Sequence, residues 1–348
     1  MTASFEFETG QVLDNRFEIA EEIGAGGSAV IYRARDLTTG ANVAVKVLAP
    51  DAARNSARAS NYRRRFEREV DVVQRLDHEN IVHFVAAGTI DESTFYAALE
   101  FVEGWTLSAV LERERALSPT EAHSFALQLF GALRGAHGVG VVHRDIKPDN
   151  IMVRPGTGYR GLSVLDFGIA GLLEGYRDLD YVSLTRTGEV HGTLAYMAPE
   201  QLMGDGLTTQ SDIYAAGLVI FECLTGTNPY RGGSLPAIIN LQLGPHSVGI
   251  PGWLERHPFG DFIVRATAKP LSQRLASASD ALDILHRLDA STLDSPHVDP
   301  EVSTATTSEV HPPTLPMNRR PGECISCKQI NPWGFKFCGA CGTPLPQD

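Results

Sequence analysis

The chain has 348 residues, 43 % hydrophobic and 21 % charged, enough apolar material for one large core or two ordinary ones. A formal charge of −12 speaks against a chain-wide basic surface for nucleic acid or anionic membrane, and no run approaches the ~18 apolar residues of a membrane span. The start MTASFEFETG lacks the basic and apolar regions of a secretory signal, and four of the five cysteines crowd into the last 25 residues; both point to a cytoplasmic protein with a local cysteine cluster and against a disulfide framework.

Taken in chain order, residues 16–23, 29–35 and 42–48 are short β-rich runs separated by glycine-rich or Thr-Thr-Gly punctuation, which predicts antiparallel strands. Between residues 62 and 76, Phe66, Val70 and Val73 recur at helical spacing among Arg and Glu, the pattern of a half-exposed helix. Residues 81–87 and 95–101 return to β-like composition. Beyond Gly104 the character changes: residues 119–137 and 211–224 carry long helical patterns, the first opened by a Ser118-Pro119-Thr120-Glu121 start signal. Cys223, inside the second pattern, reads as a packing residue. From residue 290 to 321 Ser, Thr, Pro, Asp and Glu dominate, and such a stretch has too little to bury to offset its ordering entropy; a flexible linker is expected.

Gly24, Gly26 and Gly27 lie between two predicted strands, where missing side chains let backbone N–H groups approach a phosphate chain; by itself such a run is more often just a hairpin turn. Val43-Ala44-Val45-Lys46 sets a cation among apolar neighbours, either an edge lysine reaching water or a buried charge balanced by Glu69 on the following helix. More specific is His143-Arg144-Asp145-Ile146-Lys147-Pro148-Asp149-Asn150, followed by Asp166-Phe167-Gly168. These residues supply a carboxylate to accept a hydroxyl proton, oxygen ligands for Mg²⁺ and a cation for developing phosphate charge.

On these motifs the sequence resembles the eukaryotic-like protein kinases, and among them the bacterial Hanks-type Ser/Thr protein kinases. The resemblance implies an α+β, two-lobed protein kinase fold, β-rich in the N-lobe and helical in the C-lobe, over residues 14–288. It also implies ATP and Mg²⁺ as cofactors. Asp145 matches the catalytic base, Lys147 the γ-phosphate contact of Ser/Thr-specific members, Asn150 a Mg²⁺ ligand and Asp166 the main one. Nucleotide contacts are implied for Ile23, Gly24, Gly26, Val30, Ala44, Lys46, Glu69, Glu100, Val102 and Met152, with Leu99 bordering the adenine pocket. His143, Phe167, Val73 and Phe84 resemble the packed spine that joins the lobes. Ala198-Pro199-Glu200, Asp212, Gly217 and Arg274 match residues that buttress the fold. One departure stands out: Ala29 occupies the third glycine position of the loop.

Arg144 before Asp145 matches an arginine pocket for a phosphorylated activation segment, and Thr185 and Thr187 are the expected phosphorylated threonines. Thr193 is expected near Asp145 and Lys147. Farther on, Cys324-x-x-Cys327 and Cys338-x-x-Cys341 are spaced by ten residues, two tight turns able to complete a tetrahedral S₄ site for Zn²⁺. This segment, 322–345, resembles a zinc ribbon, reached through a linker at 289–321. The activity implied is ATP-dependent phosphorylation of protein Ser/Thr hydroxyls, with autophosphorylation in trans through a homodimer and a protein partner at the ribbon. The alternative is a nucleotide-binding pseudokinase or scaffold that recruits partners through the ribbon.

Overall fold

The computed structural model describes residues 7–26, 29–48, 66–67, 70–90, 94–156, 160–167, 194–230 and 235–294. The chain divides into two units, Met1–Asp299 and Pro300–Asp348, and the second lies wholly outside the described residues.

Strands β1 (Val12–Leu13), β2 (Phe17–Gly26), β3 (Ala29–Asp36), β4 (Asn42–Leu48), β5 (Phe84–Thr89) and β6 (Phe95–Glu100) form one antiparallel sheet in the order β1-β2-β3-β4-β6-β5. Successive side chains in a strand point to opposite faces, and here both faces are used. Val43, Val45 and Val47 of β4 join Phe17, Ile19, Tyr32, Ala34, Tyr96 and Ala98 in an outer core. Leu48, Ala97 and Leu99 pack on the other face with Phe66, Val82, Phe95 and Val102. Residues 66–67 and 70–73 are helical, and the Phe66 ring lies 4.9 Å from that of Phe95, so Phe66 and Val70 pack on the inner face.

The second lobe carries a small sheet of β7 (Trp105–Thr106), β8 (Ile151–Arg154) and β9 (Gly161–Val164), and the helices α1 (Leu107–Glu114), α2 (Pro119–Gly138), α3 (Pro199–Met203), α4 (Thr209–Thr225), α5 (Leu235–Leu243), α6 (Gly252–Glu255), α7 (Pro258–Ala266) and α8 (Ala278–Leu285). The start signal of α2 acts as read: Ser118 caps it by accepting the Glu121 N–H at 3.2 Å. Every residue of α4 from Ser211 onward is buried, as expected of a helix apolar all round. Cys223 sits inside it, fully buried, and burial pushes its thiol above the usual range. Gly217 lets α7 approach, since a Cβ there would lie 2.9 Å from both Ala266 Cβ and Thr267 Cγ2.

Two boundaries differ from the sequence reading. Residues 81–83 do not open β5; Ile81 bridges Val164 in parallel, Val82 N–H donates to Val164 O at 3.0 Å and Val164 N–H to Asn80 O at 2.8 Å. Their apolar character serves a stitch between the lobes, and the upper sheet begins only at Phe84. Nor does folded structure stop at residue 288: Leu288, Ala290 and Leu293 are buried in the main core and a short 3₁₀ turn covers Ala290–Thr292. Residues 289–293 thus belong to the folded unit and not to the expected linker, because these side chains still find apolar partners.

Candidate active site

The β4 alternation decides where Lys46 points. With Val43, Val45 and Val47 in the outer core, Ala44 and Lys46 face inward, opposite Leu99 and Ala97 of β6 and opposite Arg33 and Ile31 of β3. Lys46 Nζ donates to Asp166 Oδ2 at 2.6 Å, and the two side chains are only 12 % and 21 % exposed. Burial favours the neutral carboxyl, but the charge and hydrogen bond of Lys46, aided by His143 and Lys147, hold the Asp166 pKa below its ordinary value. Asp166 is thus a fixed anion. The expected lysine partner Glu69 lies outside the described residues.

Asp145 is oriented from two sides. Lys147 Nζ and Asn150 Nδ2 each lie 2.9 Å from its Oδ2, and Asn150 Nδ2 also donates to Asp145 O at 2.7 Å. Asp145 Oδ1 and Asn150 Oδ1 accept no hydrogen bond from the described residues. The loop rests on Asp212 at 1 % exposure, whose carboxylate accepts the N–H groups of His143 and Arg144, both at 2.8 Å, and contacts His137 Nε2 at 2.9 Å. Charge-assisted bonds of this kind give orientation as well as energy. Arg144 and Asp166 both take left-handed backbone, φ +75° and +58°, conformations that hold only where surroundings over-determine them.

Main-chain bonds tie the two carboxylate segments together. Leu165 N–H donates to Asn150 O at 2.9 Å, and His143 Nε2 lies 2.7 Å from Leu165 O. The His143 and Phe167 rings meet edge to face at 4.5 Å; Phe167 and Val73 share the main core, with Phe84 packed against it. The spine residues therefore stand in one connected group.

Above the carboxylates lies an apolar wall. Leu99 and Val102 belong to the inner core and Met152 packs against it, while Glu100 N–H is committed to His83 O at 2.9 Å. Gly24 and Gly26 pair with Ile31 and Ala29 across β2 and β3, and Ile23, at 45 % exposure, precedes them. Ala29 lies in regular strand pairing with Gly26 and Leu48 and is not among the positive-φ residues, so its methyl meets no backbone strain. Val30 requires correction. It stands opposite Val47 and packs on the outer core, the face away from Lys46, whereas Ile31 pairs with Lys46 on the inner face. A strand's period of two explains this: a residue sharing a face with Lys46 must be its register partner or two positions away. Ile31 is thus the apolar residue the sequence reading missed, and no count along the chain supplies it, since steps of two back from Lys46 fall on even positions; only the β3–β4 register turns Ile31 to that face.

Asn80 had no signal in the sequence. At 6 % exposure, its Nδ2 donates to Leu162 O at 2.8 Å and Gln128 Oε1 at 3.1 Å, so α2 and β9 hold the stitch beside Asp166. Below the site, buried Glu200 and Arg274 form a two-bond ion pair at 2.7 and 3.1 Å. Gly168, Thr185, Thr187, Thr193, Cys324, Cys327, Cys338 and Cys341 lie outside the described residues.

Comparison with known proteins places this geometry. The family described as "Protein kinase domain" matches residues 17–248. The serine/threonine-protein kinase PrkC of Bacillus subtilis is 36 % identical over 287 residues, covering 82 % of this chain and 42 % of that protein. A probable serine/threonine-protein kinase PknB of Lactococcus lactis is 34 % identical over 289 residues, 79 % of this chain and 42 % of the relative. PknD of Mycobacterium tuberculosis is 34 % identical over 284 residues, with 81 % and 40 % covered. The chain thus spans about two-fifths of the length of these curated relatives. Among the described residues, no helix is long and apolar enough to cross a membrane.

Proposed function

The chain belongs to the protein kinase family, and from that membership we propose that it is a serine/threonine protein kinase, transferring the γ-phosphoryl group of ATP to Ser or Thr hydroxyls of proteins. The observation that carries this reading is the double constraint on Asp145, whose Oδ2 is held by Lys147 and Asn150 at 2.9 Å each. That grip leaves Oδ1 to accept the proton of an incoming hydroxyl. As the proton passes to Asp145, the hydroxyl oxygen bonds to phosphorus and the bond to the ADP oxygen breaks. Lys147 lies where charge develops on the transferred group.

The donor set suits Mg²⁺. Asn150 commits its Nδ2 to Asp145, so its amide offers oxygen, and Asp166 brings an ionised carboxylate; hard oxygen ligands are what this cation takes. Asn150 and Asp166 would hold the ion, which when bound neutralises phosphate charge. Lys46 is placed to neutralise the α- and β-phosphates, and the wall of Ala44, Leu99, Val102, Met152 and Ile31 to cover the base.

Two finer readings accompany this one. Arg144 receives phosphates at Thr185 and Thr187: its Nε is buried without a hydrogen-bond partner among the described residues, a cost that an anion would offset. Cys324, Cys327, Cys338 and Cys341 bind one Zn²⁺ as a ribbon that recruits a protein partner, a reading supported by their spacing. The test is radiolabelled ATP with the full chain and its Asp145→Ala variant. Phosphate incorporation by the native chain should fall about 10²–10⁴-fold in the variant. Equal background labelling of both would replace the enzyme with a nucleotide-binding scaffold.

A further inference from the structure

Helix α5 has the sequence Leu-Pro-Ala-Ile-Ile-Asn-Leu-Gln-Leu, without a charge, and its two buried residues are Ile238 and Gln242. Gln242 is fully buried. An amide in that place is unfavourable unless both of its ends are bonded, and an aliphatic residue would fill the volume at no such cost. Here both ends are used. Oε1 accepts the Tyr214 hydroxyl of α4, while Nε2 donates to Ala195 O at 3.1 Å and Leu194 O at 3.4 Å.

Those two carbonyls belong to residues 194–195, directly after Thr193 and separated by Tyr196 and Met197 from the Ala198-Pro199-Glu200 segment that opens α3. Asn228 Nδ2 reaches Ala195 O as well, at 3.5 Å. The anchor is firm at its other end. Arg274, paired with Glu200, stacks over the Tyr214 ring at 4.9 Å, and Lys269 Nζ closes the end of α5 by donating to Leu241 O at 2.6 Å and Gly244 O at 2.7 Å. Gln242 therefore links the most buried helix of the lobe to a main chain that is tied to the catalytic loop three residues later, where Gln201 accepts the Ala198 N–H at 3.0 Å and donates to Arg144 O at 2.9 Å.

We infer that Gln242 is a positioning residue for the protein acceptor: by gripping the 194–195 carbonyls it sets the main chain against which the acceptor segment lies, without touching the nucleotide. This rests on the kinase reading above. Misplacement by about 1 Å far from the chemistry is enough to cost ~10²-fold in rate, so a graded loss confined to the acceptor is the expected signature.

The test compares the full chain with Gln242→Met, which keeps the volume and removes the donors, and with Tyr214→Phe, which keeps the ring over Arg274 and removes only the hydroxyl. KM for dephosphorylated casein and for ATP are measured, together with amide hydrogen exchange at residues 194–197. Expected for Gln242→Met is a rise of about tenfold in KM for casein, ATP KM within twofold of native, and faster exchange at 194–197; Tyr214→Phe should show a smaller change of the same kind. A casein KM within twofold of native in both variants overturns the inference, as does a parallel rise in both KM values. Should Gln242→Met fail to fold, Tyr214→Phe decides. A native chain that transfers no phosphate ends the kinase reading instead, and exchange at 194–197 then decides Gln242 alone, unchanged exchange counting against it.

Discussion

Removing the guanidinium of Arg274 should destabilise the protein more than any exposed substitution, by an amount its hydrogen bonds allow one to work out. At 4 % exposure, Arg274 places all its donors: Nε to Ala268 O at 2.7 Å, Nη1 to Glu200 Oε1 at 2.7 Å and Gln210 O at 2.9 Å, and Nη2 to Glu200 Oε2 at 3.1 Å and Lys269 O at 3.0 Å. In Arg274→Met, Glu200 keeps, among the described residues, only the Ser211 hydroxyl, at 2.8 Å, as a side-chain partner. Stranding a buried charge in this way costs ~3–5 kcal/mol, against a total stability of ~5–15 kcal/mol. The sign of the pH dependence follows from Glu200. Burial raises its pKa, but the bonds and charge of Arg274 outweigh that and hold it below the ordinary value. In the native chain the pair therefore stabilises above the unfolded carboxyl pKa of about 4.5 and loses this contribution as pH falls through the lower folded value. In the variant burial dominates, so the folded carboxyl takes up its proton more readily than the unfolded one, and the deficit shrinks as pH falls from 7.5 toward 5. Urea unfolding followed by tryptophan fluorescence at both pH values measures this. The double variant Glu200→Gln/Arg274→Met should recover at least ~1 kcal/mol of the single variant's loss, since the stranded charge is gone. A loss under ~1 kcal/mol for Arg274→Met, or no recovery in the double variant, would mean that Glu200 is not left as a stranded buried charge.

Lys46→Met removes the cation from Asp166 and should lower phosphate transfer by ~10²-fold or more, as a steady-state assay will show. Gly217→Val forces a branched side chain against Ala266 and Thr267, where even a Cβ would come within 2.9 Å; a loss of ~1–3 kcal/mol in urea unfolding is expected. Atomic emission should count one zinc per full-length chain, and well under one in Cys338→Ser; a metal-free native protein purified without chelator would dismiss the ribbon. Arg144→Ala should abolish the rise in activity that follows incubation of phosphatase-treated protein with ATP, with mass spectrometry reporting Thr185 and Thr187; an equal rise in variant and native protein would remove Arg144 from that role.

Much of the candidate site is legible without coordinates because it is local. Asp145, Lys147 and Asn150 fall within one short loop, so spacing alone brings them together, and the alternation of Val43, Val45 and Val47 is enough to turn Lys46 inward. Ser118 announces α2 for the same reason: the bond to the Glu121 N–H spans three residues. Face assignment near the glycine loop went astray by one position, Val30 for Ile31, because a single-residue slip in a strand reverses every side chain and only the pairing with β4 settles the register.

What tertiary structure alone decided are contacts between residues far apart in the chain, whose meeting depends on how helices stack. Nothing in Leu-Pro-Ala-Ile-Ile-Asn-Leu-Gln-Leu says that its glutamine grips a main chain 47 and 48 residues earlier, and nothing at Asn80 foretells a bond to Leu162, 82 residues on. Leu293 reads as linker until a core is there to receive it. Short-range pattern is enough for the candidate reactive groups and the periodicity of each element; packing chooses which polar side chains are buried and therefore obliged to find a partner, since that obligation exists only where water is excluded.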